Sequence, residues 1–122
     1  MQTPRAVVEA FFDRMADTDR RESIGELFVE DAVITVPGDR FEGVDAAAAF
    51  LAYLEPRYAW AAKEFDRWIT ADDIVISIGR LYGVDNDGDD FTDVRYVDIY
   101  HVVDGRIARL DIYNDLAVAG VV

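Results

Sequence analysis

Apolar positions along this chain follow two different periods. From Thr3 to about residue 18, Val8, Phe11, Phe12 and Met15 recur at helical spacing and mark one apolar stripe. Thr3 is placed to cap that helix, and Pro4 suits its first turn, where an N–H would have no partner anyway. "DTDRRES" interrupts the stripe, and a short second helix is expected over residues 20–29, burying Ile24, Leu27 and Phe28. "EDAVITVPG" reads as a strand stopped by Pro37 and Gly38, and "GDRFEGVD" as an edge segment turning at Gly43. Asp45 is placed to cap a third helix through Leu54, which Pro56 ends. Beyond it the period falls to two. Residues 60–70, with Trp60, Phe65 and Trp68, form one strand, followed by "DDIVISIGRLYG", "FTDVRYVDIYHVV" and "GRIARLDIYND". Strands that follow one another in hairpins build an antiparallel sheet, and helices gathered on one face of it make an α+β architecture. No repeat, linker or low-complexity segment intervenes, so residues 1–122 read as one domain.

Strand parity singles out one residue. Tyr96, Asp98, Tyr100 and Val102 share a face, while Arg95, Val97, Ile99, His101 and Val103 share the other. In the last strand Ala108, Leu110, Ile112 and Asn114 lie on one side, and Arg109, Asp111, Tyr113 and Asp115 on the opposite side. The first set of each pair looks buried, which sets the carboxyl of Asp98 between two tyrosines on an apolar face. Poor solvation there disfavours its charged form. Protonated, it can donate to a carbonyl or enolate oxygen. The plainer reading is a buried polar group satisfied by an arginine or a tyrosine.

Composition narrows the partners. With 25 acidic and 12 basic residues the net charge is −13, and Lys63 is the only lysine. A nucleic-acid binder needs a cationic face, and an anionic lipid surface would repel this one. No apolar stretch is long enough to span a membrane, and "MQTPRAVVEAFF" lacks the order of a secretory signal. There is no cysteine, which removes disulfides and thiolate chemistry and fits a reducing, cytoplasmic setting. The Asp-rich, Lys-poor surface resembles that of proteins from salt-loving archaea. An ordinary acidic protein from a GC-rich genome is the alternative.

The order of elements, together with "VVEAFFDRMADTDRRESIGELFVEDAVITVPG", "FEGVDAAAAFL" and "VDIYHVVDGRIARLDIYND", resembles the nuclear transport factor 2-like (cystatin-like α+β) superfamily. Within it the chain is most similar to the SnoaL-like polyketide cyclases and ketosteroid isomerase-related proteins. The resemblance implies a curved, antiparallel-rich sheet wrapped around helices to form a conical cavity. It also implies a homodimer through the outer sheet face, where Val97 and Ile99 are apolar. Asp98 matches the position at which ketosteroid isomerases hold an oxyanion-hole aspartic acid. The rest of that machinery is absent. Val36 stands where the general-base carboxylate precedes the strand-ending proline, and Phe12 stands where the first helix carries the oxyanion-hole tyrosine. Ile112 fills the slot of the cyclases' last-strand aspartate, and Asp111 faces outward unless a bulge shifts the register.

Limonene epoxide hydrolase-like relatives pair an arginine with aspartates. Arg80 reaches Asp98 only if the "DNDGDD" turn is shifted by one residue, because a turn on Asp87-Gly88 pairs Ser77 with Asp98 and sends Arg80 outward. "DNDGDDFTD" misses the glycine and glutamate positions of a calcium loop and suits a tight hairpin turn. His101 is the sole histidine and faces away from Asp98, so neither a metal site nor a catalytic triad is expected, and no cofactor is implied. The candidate site is therefore Asp98 as the acid–base residue. Phe12, Met15, Tyr53, Trp60, Arg80, Tyr96, Tyr100, Ile112 and Asn114 are expected around a small apolar ligand. Three readings stay open: an isomerase- or cyclase-type enzyme acting on an apolar carbonyl or polycyclic ligand, a non-catalytic ligand-binding or structural homodimer, and an epoxide hydrolase- or dehydratase-like enzyme using Arg80 with Asp98.

Overall fold

The computed structural model describes residues 2–122. Helix α1 (Pro4–Ala16) starts as expected, with the Thr3 hydroxyl accepting from the Ala6 amide at 3.2 Å. The second helix is shorter and tighter than expected: a 3₁₀ helix over Arg21–Leu27. Gly25 and β-branched Ile24 disfavour a longer α-helix there. Phe28 leaves it to open a strand, with its side chain still buried as expected. Arg14 of α1 ties the segment down through the Ser23 carbonyl and the Glu26 carboxylate, both at 2.9 Å.

Six strands follow: β1 (Phe28–Val36), β2 (Asp39–Glu42), β3 (Trp60–Ala71), β4 (Ile74–Val84), β5 (Asp90–Val103) and β6 (Arg106–Asn114), with helix α2 (Ala46–Leu54) between β2 and β3. Asp45 occupies the residue before α2, but its side chain makes no capping hydrogen bond. The strands form one curved, unclosed sheet in the order β2-β1-β6-β5-β4-β3. All neighbours are antiparallel except β1 and β6, which run parallel because the chain crosses the sheet between them.

Two irregularities bend the sheet over the helices. Asp66 is an extra residue in β3, opposite the step from Ile78 to Gly79. Gly79 and Gly83 let β3 close in: a Cβ at Gly79 would lie 2.0 Å from the Glu64 carbonyl oxygen, and one at Gly83 would lie 2.1 Å from that of Trp60. Only a residue without a side chain tolerates such an approach. The larger core gathers Val8 and Phe11 of α1, Ile24, Phe50 of α2, Tyr100 and Leu110. A smaller cluster joins Leu81, Val94, Tyr96 and Leu116, with Tyr58 packed against it. Asp98 sits on β5 between Tyr96 of one cluster and Tyr100 of the other. Among the described residues, no helix is long and apolar enough to cross a membrane.

Candidate functional site

Alternation along β5 buries Val94, Tyr96, Asp98, Tyr100 and Val102 and turns Val97, Ile99 and His101 to the other side. Asp98 is 1% exposed. Its cross-strand neighbours are Ser77 on β4 and Ile112 on β6. The charge that meets it comes from β3: Lys63 Nζ lies 3.1 Å from Asp98 Oδ2. That ammonium also stands over two aromatic faces, 4.6 Å from the Tyr96 ring centre and 5.2 Å from that of Phe12. The Lys63 side chain is 27% exposed, so it lies between solvent and the carboxyl.

Hydrogen-bond capacity is left over. The Lys63 contact is an ion pair without good hydrogen-bond alignment, and neither Asp98 oxygen has another partner. The Tyr100 hydroxyl neighbours the carboxyl but makes no well-aligned bond. Tyr96 is satisfied, its hydroxyl 2.8 Å from Ser77 Oγ.

Burial dominates the protonation of these groups. It pushes the Asp98 carboxyl above the usual carboxylate range, although the Lys63 charge and the Tyr100 hydroxyl pull it down. Burial likewise pushes Tyr96 up to about 12, with the Ser77 hydrogen bond opposing and the Asp98 charge adding. Tyr100 is raised well above an ordinary phenol by burial and by the same charge. Tyr58 is raised by burial, which Arg21 opposes, and the charge of Asp98 reaches it too. Asp98 can thus hold or release a proton inside an aromatic shell. Among the described residues no cluster of three or more acids and histidines suits a metal ion.

The other expected residues divide. Phe12 covers the site: its ring packs edge-on against Tyr100 at 5.8 Å and touches Phe65 and Trp68. Met15 is half-buried against the same core. Ile112 lies directly across from Asp98, and Asn114 across from Tyr96, where its side-chain oxygen accepts from the Leu116 amide at 3.2 Å. Tyr53 makes its contacts elsewhere, against Phe41 and beneath the Arg57 guanidinium.

Three expectations are corrected. Ser77 pairs with Asp98, so Arg80 pairs with Arg95 and points to the outer face. There it is held by Glu64 at 2.9 Å, Asp66 at 3.2 Å and Asp93 at 2.9 Å. Arg80 and Asp98 therefore do not meet, and the reading that joined them loses its geometry. Trp60 is also on the outer face, half exposed, packed edge-on against Tyr82 at 6.0 Å. It does not cover Asp98. In β6 an extra residue at Ala108 brings Ile107, not Ala108, onto the buried face, whereas Leu110 onward keeps the expected parity. Asp111 accordingly faces outward. Partial burial works against its ionisation, but Arg109 and Thr35 donate to it at 2.9 and 2.6 Å and hold it below the usual range.

Two hollows flank α2: one of about 300 Å³ between the 3₁₀ helix, β1 and the start of α2, and one of about 490 Å³ between the 3₁₀ helix and α2. No candidate residue lines either one. On the concave face Asp98 is flanked by Lys63, Tyr96 and Tyr100, with Phe12 packed against Tyr100. Lys63 was missed by sequence reasoning, and its one signal was its being the sole lysine in the chain.

The model of the SnoaL-like domain matches residues 8–110. The chain belongs to the SnoaL-like domain family. Among solved structures, its fold is similar to that of a nuclear transport factor 2-like protein of unknown function from Burkholderia pseudomallei (16% identity, covering 98% of this chain and 95% of that one, TM-score 0.84). It is similar, too, to a protein described as a SnoaL-like polyketide cyclase from Jannaschia sp. CCS1 (20% identity, 96% and 88% covered, TM-score 0.82). A protein with a ketosteroid isomerase-like fold from Catenulispora acidiphila, in complex with trimethylamine, is a third (17% identity, 92% and 86% covered, TM-score 0.75). At these identities the likeness is one of fold. No curated protein matches the sequence. The SnoaL-like family accounts for the curved sheet and the covering helices. Its members' chemistry varies on that frame.

Proposed function

We propose that this SnoaL-like domain is a small-molecule pocket protein that acts on an apolar carbonyl or polycyclic ligand, with Asp98 as proton donor or acid–base residue. One observation carries this reading: a carboxyl 1% exposed, on the concave face, with unused hydrogen-bond capacity beside an equally unpartnered Tyr100 hydroxyl. Leaving buried polar atoms unpaired costs about 1–3 kcal/mol each, and a ligand oxygen would recover that. The family's other proton-handling slots hold Val36, Phe12 and Ile112, so any acid–base work falls to Asp98 and its neighbours. Entry of a ligand requires Phe12, which is only partly buried, to move aside.

The test is binding of 2-acetylnaphthalene, followed by quenching of Trp68, which lies 5.6 Å from Phe12. Asp98→Leu, similar in size and without a hydrogen-bonding group, is expected to weaken binding about tenfold, the loss of one hydrogen bond of about 1.4 kcal/mol. Equal binding by the variant would remove Asp98 from the function.

The non-catalytic homodimer is a second reading, favoured by the apolar residues in those same three slots. It draws on the outer sheet face, where Ile76, Ile78, Val97 and Ile99 are half-buried and Ile69 and Tyr113 exposed. Dimerisation through that face is compatible with either reading. A dimer that binds neither carbonyl nor polycyclic probes would favour the second.

A further inference from the structure

We propose that Lys63 anchors an ionised ligand oxygen, so that among the carbonyl and polycyclic ligands of this pocket those that present an acidic enol or phenol are preferred over a plain ketone. This rests on the pocket reading above and adds a specificity-determining residue to it.

The approach to Asp98 runs past the ammonium. The Lys63 side chain is 27% exposed and that of Asp98 only 2%, so an entering oxygen meets the cation first. The ammonium has three donors, and its one ion pair among the described residues is with Asp98. Phe12 and Tyr96 present ring faces to it rather than hydrogen-bond acceptors, which leaves its donors free for a ligand oxygen.

Charge balance then selects the ligand. The pair holds one positive and one negative charge. When an acidic enol or phenol enters, its O–H bond breaks, the proton passes to an Asp98 oxygen and forms a new O–H bond there, and the ligand oxygen takes the carboxylate's place on Lys63. The site again holds one charge of each sign, so no further charge is buried. The groups facing Asp98 favour this exchange. Lys63 comes from β3, Tyr96 and Tyr100 from its own strand, and Tyr58 from the segment after α2. Ser77, Ile112 and Phe12, from β4, β6 and α1, do not ionise. Tyr100, lacking a partner, can donate to the anion. A plain ketone cannot make the exchange, because it has no proton to give, and must bind against an intact ion pair.

The experiment uses 4-nitrophenol, whose phenolate is yellow, at a pH below its own pKa, with 4-nitroanisole as the isostere that cannot ionise. The wild-type protein is expected to bind the phenol as the yellow anion and about tenfold more tightly than the anisole. Lys63→Met is expected to abolish both the colour and the preference, while Lys63→Arg keeps them. Circular dichroism checks folding. Should Lys63→Met not fold, Lys63→Gln takes its place. A colourless bound phenol in the wild type, or a yellow one in the neutral variant, overturns the inference. If both probes bind equally and uncharged, and Asp98→Leu weakens both, the pocket reading stands and the role of Lys63 falls. If neither probe binds, both fall.

Discussion

Asp98 links the site to stability through its proton. Because burial raises its pKa above the model-compound value of 3.8, the folded chain binds this proton more tightly than the unfolded chain does. The stability it contributes is therefore full in acid below that ordinary value and is lost as pH rises toward the folded value. Asp98→Asn keeps the shape and removes the titration. Urea unfolding over a pH series is expected to show the wild type losing stability relative to Asp98→Asn as pH rises from the ordinary carboxylate range. A difference that does not vary with pH, or varies the other way, would contradict the assignment. Arg80 offers the contrast. Hydrogen bonds from its guanidinium to Asp66 and Asp93 raise its pKa. Arg80→Ala leaves three carboxylates facing one another on the outer sheet, so the Tm should fall at low salt and recover at high salt. Probe binding at Asp98 should not change, because the side chain lies on the opposite face.

At the scale of elements, the close approach of β3 to β4 controls the site. Gly79→Ala would drive a Cβ against a backbone oxygen, which cannot swing away as a side chain can. A loss of about 3 kcal/mol is expected in denaturant unfolding, at the upper end for overpacking. This same region explains what the sequence did and did not disclose. Strict alternation in β5 put Asp98 between Tyr96 and Tyr100 on the buried side. The hairpin register stayed open in the sequence: the turn itself pairs Val84 with Asp90, and an extra residue in β5 between Phe91 and Val94 restores the register that pairs Ser77 with Asp98. The bulge at Asp66 left no comparable mark. With Trp68 on the buried face, an unbroken strand would carry Trp60 to that face and Lys63 away from it. The extra residue reverses both, turning Trp60 to the outer face and Lys63 toward Asp98. The 3₁₀ geometry of Arg21–Leu27 and the bulge at Ala108 escaped for a similar reason, since each depends on packing across the sheet rather than on local pattern.

Over the whole molecule, a net charge of −13 sets the response to salt. Like charges repel across a compact surface, and added salt screens them. The Tm is expected to rise as sodium chloride is added, and a Tm unmoved by salt would contradict a destabilising self-repulsion. The outer sheet face, with its isoleucines and valines, is expected to pair in solution. Sedimentation of the wild type against Ile78→Lys checks this, with the variant shifted to monomer. None of these large-scale properties identifies the ligand, which depends on the buried pair. The most direct test of that pair is a carbon-13 NMR titration of the Asp98 carboxyl in the wild type and in Lys63→Met. The wild-type carboxyl should titrate above the usual carboxylate range, and loss of the ammonium should raise it further. Titration at or below the ordinary value, or no change without Lys63, would contradict the account.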